Sequence, residues 1–386
     1  MTFPASLSSL LLYDLPLLIA GVSALYYLSV FVASLKFYFE KEPVADFTPP
    51  VSILKPVRGI EEGFYESLAS HCRQNYPCFE IVFGLADAND PARDTIARLQ
   101  REFPRVPIQL VVVPESRHAN PKMNSLARMI EEAAHEIVVI NDADIRVEPG
   151  YLRTVVKPLA DERVGLVTCL YRGVPQANLV AVLEALAIGG DFTGQVLLAR
   201  WVEGIQFGLG ATIATRKKQI AGIGGLAPWA DYLADDYILG NRIAAQGYGI
   251  HLSHTVVETL LPRRSLRDLL RQQLRWARTV RISRPRGYPG LLLAFGVPVA
   301  ALAVIAEPRS TLALGISAIT LAARLLAAWA SGVLISRDRV VRKYFWLLPL
   351  RDLLGLGVWI ASFLGRTVVW RGARYEILPG GKIRPA

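Results

Sequence analysis

The chain has 386 residues, 43 Lys and Arg against 33 Asp and Glu, a formal net charge of +10 and 52% apolar residues. A mean hydropathy of +0.32, with the apolar residues gathered towards both ends, argues against an ordinary soluble enzyme. Basic charge beside apolar segments points to an anionic membrane surface rather than to nucleic acid, and no zinc-finger, RNA-binding or basic-zipper pattern is present.

Residues 15–34, LPLLIAGVSALYYLSVFVAS, are uncharged and long enough to cross a hydrocarbon core of ~30 Å. Lys36 and Lys41 follow the run, which makes residues 1–36 a membrane helix with its C-terminal side in the cytoplasm rather than a cleaved signal. Residues 37–50 read as a linker.

Between residues 51 and 260 short β-rich runs alternate with amphipathic segments. The runs are VSILKPV, FEIVFGLA, IQLVVV, EIVVIND and VGLVTCLY; helices are expected over 62–74, 91–103, 122–133 and 149–160. This alternation predicts an α/β domain with a mainly parallel sheet covered on both faces. Ligands of such sheets bind beyond the carboxyl ends of the strands, where Asp87 and Asp142 fall. Cys72, Cys78 and Cys169 show no metal-ligand spacing and read as reduced thiols.

Asp142 and Asp144 end a buried run with two like charges one residue apart. A D-x-D in that place can hold a divalent cation together with a diphosphate, since Mg²⁺ is usually bound by one or two carboxylates plus substrate phosphates; a solvated turn is the plainer alternative. In DANDPA, Asp87 can accept from a nucleoside, and Asp90 either joins it or caps the helix that Pro91 begins. Asp235 and Asp236 open another helix. They either complement its dipole or supply a general base. Lys122, in NPKMNSL, either contacts the diphosphate or is a surface lysine.

Residues 261–287 form an amphipathic helix with leucines on one face and arginines on another, suited to an anionic membrane. Within it, Gln272, Arg275 and Trp276 make Q-x-x-R-W. Arginine there can neutralise a departing diphosphate, and tryptophan can stack on an acceptor. Residues 288–370 hold three apolar stretches, 288–306, 311–335 and 344–370. The third carries Arg351 and Asp352 and reads as re-entrant or interfacial, with both charges facing protein. Residues 371–386 are a basic tail.

In this order the motifs resemble the membrane-bound nucleotide-sugar glycosyltransferases of the GT-A fold. VSILKPVRGIEEGFYESL, DANDPA, NPKMNSL, DADIRV, VGLVTCLYRGVP and LADDYILGNRI look like the ceramide glucosyltransferase family, whose bacterial relatives include the hopanoid-associated glycosyltransferases. The resemblance covers about residues 51–281 and the membrane layout. It implies a Rossmann-like GT-A domain in which Asp87, with Asp90, meets the nucleoside and Asp142 and Asp144 meet the ribose–diphosphate and a divalent cation, Mg²⁺ or Mn²⁺. It makes Asp236, beside Asp235, the catalytic base and places Gln272, Arg275 and Trp276 near diphosphate and acceptor. The animal members read D-S-G at the D-x-D, so the resemblance ties Asp144 to the metal less firmly than Asp142.

The implied reaction is inverting transfer of glucose or N-acetylglucosamine from a UDP-sugar to a membrane-lipid hydroxyl, on ceramide or on a hopanoid polyol such as bacteriohopanetetrol. The rival readings are a processive polysaccharide synthase of the cellulose, chitin or hyaluronan type, which shares the motifs but threads its product through a larger bundle, and a non-catalytic membrane scaffold. An Arg/Ala/Leu-rich chain without organelle signals points to a bacterial inner membrane, multi-pass, with the catalytic domain facing the cytoplasm.

Overall fold

Apolar runs too short for helices pair side by side in parallel. β1 (Val51–Pro56) lies between β2 (Phe79–Leu85) and β4 (Ile137–Ile140), and β3 (Ile108–Val112) adds beyond β2. In this computed structural model, which describes residues 9–113, 118–176, 178–370 and 372–386, the sheet grows to eight strands. Short β5 (Ile145–Arg146) follows the D-x-D, then come β6 (Val164–Pro175), β7 (Ile213–Arg216) and β8 (Gly249–Leu261). The order is β3-β2-β1-β4-β7-β6-β8-β5, with β7 antiparallel to both its neighbours and β5 antiparallel to β8. Successive residues of one strand enter opposite layers: Ile53 and Val139 pack in one apolar cluster, Leu54 and Val138 in the other. That is why the central strands read as mainly apolar runs rather than as alternating ones.

The chain forms two units. The sheet unit comprises residues 41–176, 204–262 and 375–386; the helical unit comprises the described parts of residues 1–40, 177–203 and 263–374. The four helices expected in the sheet unit are present as Phe64–Cys72, Ala92–Glu102, Pro121–Glu132 and Tyr151–Val156, the last continued by a 3-10 turn over Lys157–Ala160. Cys72, Cys78 and Cys169 are free thiols.

The helical unit marks this as a membrane protein. Five of its described segments are helical, long and apolar enough to cross a bilayer: Leu10–Phe39, Leu179–Glu203, Tyr288–Ala306, Thr311–Ile335 and Phe345–Ser362. Residues 1–8 of the expected first helix lie outside the described residues. Helices approach closely where small residues meet: a Cβ on Gly296 would fall 2.2 Å from that of Ser23, and the Thr320 hydroxyl donates to the Ala20 carbonyl at 3.0 Å. Residues 179–203 were not expected as an element, because Glu184, Asp191 and the Gly189–Gly190 pair break their apolar run. Those charges are buried and paired. Arg324 donates to Asp352 at 2.9 and 2.8 Å and pairs with Asp191, which Arg351 approaches to 3.4 Å. Arg351 and Asp352 thus face protein.

Two C-terminal features go beyond the sequence reading. The third apolar stretch stops being helical after Ser362; Gly365, at φ +91°, turns the chain into β9 (Thr367–Trp370). The basic tail carries regular structure. β10 (Ala373–Ile377) and β11 (Ile383–Pro385) pair antiparallel and bury Ile377 against Ile383. Residue 371 lies outside the described residues.

Candidate active site

β4 ends in the middle of the sheet, and buried Asn141 shapes the turn that follows. Its side-chain amide donates to the Ala211 carbonyl at 2.7 Å and to the Tyr151 and Thr212 hydroxyls at 2.8 and 3.2 Å. From below, Lys55 of β1, wholly buried, donates to the Asp142 carbonyl at 2.9 Å. Burial pushes the Lys55 ammonium down to about 7, against the pull of Asp144 and Asp142. Neither Asn141 nor Lys55 was expected to matter. A polar residue placed directly before a D-x-D, and a lysine within an otherwise apolar strand, were the available signals.

Asp142 and Asp144 have different settings. Asp144 accepts a hydrogen bond from the Thr259 hydroxyl at 2.6 Å, and its backbone carbonyl accepts from the Leu260 amide at 3.1 Å, so β8 holds it. Burial and then the neighbouring Asp142 push its pKa up. Asp142 is the more open of the two, with a side chain 41% exposed, and one of its oxygens lies 2.7 Å from the Lys122 ammonium.

Lys122 is not a surface lysine. Asn120 caps the Pro121–Glu132 helix, accepting from the Lys122 and Met123 amides, and Pro121 starts it. The Lys122 side chain is 9% exposed, and its ammonium bridges Asp142 at 2.7 Å and Asp235 at 2.8 Å. Burial disfavours the charge, but Asp142 and then Asp235 outweigh it and hold the ammonium well above its ordinary value. Lys122 therefore ties the D-x-D turn to the first turn of the Asp235–Ala245 helix.

That helix lies close on the preceding segment because Gly240 has no side chain: a Cβ there would fall 2.2 Å from the Gly208 nitrogen. The approach brings Asp236 to Gly210, whose amide donates to it at 2.8 Å. A Cβ on Gly210 would sit 2.9 Å from one Asp142 oxygen and 3.3 Å from one Asp236 oxygen, so this glycine leaves the space between the two carboxylates open. Burial, then the charge of Asp235, push the Asp236 carboxyl up to about 6, against the opposing pull of Lys122. A half-buried carboxylate near neutrality, beside an open gap, can accept a proton.

Asp87 and Asp90 lie beyond the end of β2, two strand positions from β4, or roughly 10 Å at ~4.8 Å per strand. Exposed Asp87 accepts from the Asn89 amide at 2.8 Å. Asp90 accepts from the Ala92 amide and, with both oxygens, from the Gly59 amide at 2.9 Å. It therefore caps the following helix and braces the loop after β1. Gln272, Arg275 and Trp276 belong to the helical unit. The Gln272 amide donates at 2.7 Å to Glu184, which is buried and lies 3.5 Å from Arg264; the Arg275 guanidinium lies 5.9 Å from the Trp276 ring centre.

The profile of Glycosyl transferase family 21 matches residues 16–383. The chain belongs to that family. This family 21 glycosyltransferase is 24% identical over 354 residues to ceramide glucosyltransferase 3 of Caenorhabditis elegans, a match covering 87% of this chain and 74% of the relative. It is 30% identical over 160 residues to the ceramide glucosyltransferase of Gibberella zeae, covering 39% of this chain and 30% of the relative. Its fold is similar to that of a mannosyltransferase from Pyrobaculum calidifontis solved in complex with GDP-Man and Mn²⁺, with a TM-score of 0.52, 20% identity, and coverage of 89% of this chain and 99% of that one.

Among the described residues no three His, Cys, Asp or Glu side chains converge as an all-protein metal cage. The donor set does suit a hard cation that takes one or two carboxylates and completes its shell with phosphate oxygens, because half-exposed Asp142 and the Gly210 gap lie at the strand end.

Proposed function

We propose that this family 21 enzyme transfers a sugar, with inversion, from a UDP-sugar to the hydroxyl of a membrane lipid. The observation that carries the reading is Lys122 bridging Asp142 and Asp235 beside the raised carboxyl of Asp236 at the carboxyl edge of the sheet. A lipid acceptor is supported by the apolar helices and by the named activity of the relatives. The lipid hydroxyl oxygen attacks the anomeric carbon, the C1–O bond to the diphosphate breaks, UDP departs on the opposite face, and Asp236 takes the hydroxyl proton. Asp142 and Lys122 orient the diphosphate, with Asp87 towards the nucleoside and Arg275 and Gln272 towards the leaving group and acceptor. A bound Mg²⁺ or Mn²⁺, held by Asp142 and in part by Asp144, supplies electrostatic stabilisation of the departing diphosphate.

Bringing the active site to the bilayer saves the ~0.8 kcal/mol per CH₂ that drawing a lipid into water would cost. The sheet unit belongs on the cytoplasmic side of a bacterial inner membrane. The chain leaves that unit after Gln176 and returns at Gly204, then leaves after Pro262 and returns at Tyr375. If the unit stays on one side, each excursion crosses an even number of times. The single rod Leu179–Glu203 then stays on the cytoplasmic side. Two of the three later segments cross, and the one containing Arg351 and Asp352 is interfacial.

The test incubates purified protein in lipid nanodiscs with UDP-glucose or UDP-N-acetylglucosamine and either ceramide or a hopanoid polyol, and analyses the lipids by mass spectrometry. A single sugar added to one lipid class supports the reading, with the hopanoid polyol as the expected acceptor. A polymer ladder, or no product with any pair, overturns it.

A further inference from the structure

The last residues of the chain rejoin the sheet unit next to the proposed catalytic turn. The hairpin turn between β10 and β11 depends on Gly380 and Gly381, both at positive φ (+86° and +94°), and closes with the Leu378 amide donating to the Lys382 carbonyl at 2.7 Å. β11 then lies against residues 231–233. The Ile383 amide donates to the Asp231 carbonyl at 2.7 Å, Tyr232 bridges antiparallel to Lys382, and the Lys382 ammonium stands 5.8 Å from the Tyr232 ring centre. Ile377 and Ile383 are buried beneath this contact.

The opposite edge of the same segment holds Lys122 in place. The Asn120 amide donates to the Ala230 carbonyl at 2.9 Å, and its side chain donates to the Tyr232 carbonyl at 3.0 Å. The Ala119 amide donates to the Asp231 carboxylate at 2.9 Å. Asn120 is wholly buried and caps the Pro121–Glu132 helix, whose first turn carries Lys122; two residues after Leu233 the chain reaches Asp235. Residues 230–233 have no regular helix or strand of their own across this stretch, so they are ordered by what lies on either edge.

We propose that the C-terminal hairpin is a positioning element of the active site. By pairing with residues 231–233 it fixes the segment that sets both ends of the Lys122–Asp235 bridge. The tail touches no reacting atom; it acts through Asn120 and the start of the Asp235–Ala245 helix. The inference deepens the glycosyltransferase reading and rests on it for its catalytic consequence, but not for its structural one.

The test compares the full chain with Ile383→Pro, which removes one amide donor, and with Ile383→Val, which keeps it. Hydrogen exchange is followed over residues 118–126 and 230–237 and, as an internal reference, over β1 and β2. Turnover and UDP affinity are measured with whichever donor–lipid pair the wild type uses. The expected result for Ile383→Pro is exchange about tenfold faster in the two catalytic segments with the reference strands unchanged, kcat lowered at least tenfold and UDP affinity within about threefold, with wild-type exchange and kcat in Ile383→Val. Unchanged exchange in both segments, exchange that rises equally in β1 and β2, or a kcat within twofold of wild type would overturn the proposal. If the wild type transfers no sugar, the glycosyltransferase reading fails, while the exchange measurement still decides whether the hairpin orders the segment.

Discussion

The Lys122 ammonium lies 2.7 Å from Asp142 at the end of a central strand. The same ammonium lies 2.8 Å from Asp235 on a helix more than ninety residues further along the chain. Through this bridge the proposed donor site and the proposed base share one buried cation. Asp142 and Asp235 bind it directly, and its charge also acts on Asp236.

Replacing that cation is expected to harm binding and turnover together. Lys122→Met leaves Asp142 and Asp235 without their shared partner; stranding a buried charge such as that of Asp235 costs about 3–5 kcal/mol, while half-exposed Asp142 is eased by water. Part of this is relieved by protonation or by a metal ion. We expect kcat/KM for the donor to fall by about 100-fold, corresponding to ~2.7 kcal/mol, with Lys122→Arg intermediate. Steady-state kinetics of UDP release check this, and a loss below threefold would show the bridge to be incidental.

Asp236→Asn keeps the shape of the site and one of the two oxygens that accept from the Gly210 and Tyr237 amides, but removes the base. General-base catalysis contributes about 10²–10⁴-fold, so turnover should fall by at least about two orders of magnitude. UDP binding, measured by calorimetry, should stay within a few-fold, because the nucleotide is assigned to Asp87 and Asp142.

The pH profile follows from the same residue. Asp236 must be ionised to accept a proton, and burial followed by Asp235 place it at about 6. Activity should therefore rise with pH through about 6 and fall about tenfold per unit below it. In Lys122→Met the limb should move to higher pH, because Lys122 is the group that opposes the upward shift. The stability sign is the reverse. The folded value exceeds the ordinary 3.8, so Asp236 favours folding at low pH, and that contribution is lost as pH rises through about 6.

In the helical unit, Glu184 holds the Q-x-x-R-W helix by accepting from Gln272. Glu184→Leu leaves Gln272 and Arg264 without this partner, and losing such a buried bond costs about 1–3 kcal/mol. Glu184→Gln keeps an acceptor oxygen and should recover most of the loss. Thermal melting in nanodiscs and donor kinetics should both rank wild type, Glu184→Gln and Glu184→Leu in that order.

Much of the sheet was legible because burial on both faces keeps a strand mainly apolar; β4 is wholly apolar and β1 and β2 are nearly so, broken by Ser52, Lys55 and Glu80, while β3, at the sheet edge, buries only Val111. The edge that carries Asp87 and Asp142 followed from strand direction alone. The run of residues 164–171 was recognised, but its extension to Pro175 depends on pairing with β8, which begins 74 residues after β6 ends. β7 has only four residues and is set antiparallel by its neighbours. Residues 179–203 escaped notice because Glu184 and Asp191 look prohibitive in an apolar helix until Gln272 and Arg324 are seen opposite them. The tail was read only as basic because its charged residues outnumber Ile377 and Ile383, whose burial depends on a hairpin and on residues 231–233. For Lys122 the sequence left two roles open, and only long-range geometry reveals the bridge.

The most direct measurement of the central claim compares wild type with Asp236→Asn in nanodiscs supplied with a UDP-sugar and a lipid extract. Lipids are read by mass spectrometry, and UDP binding is measured on the same samples. The account predicts one new glycolipid from the wild type, essentially none from the variant, and equal nucleotide binding by both. Equal glycolipid yield from the two proteins would contradict it.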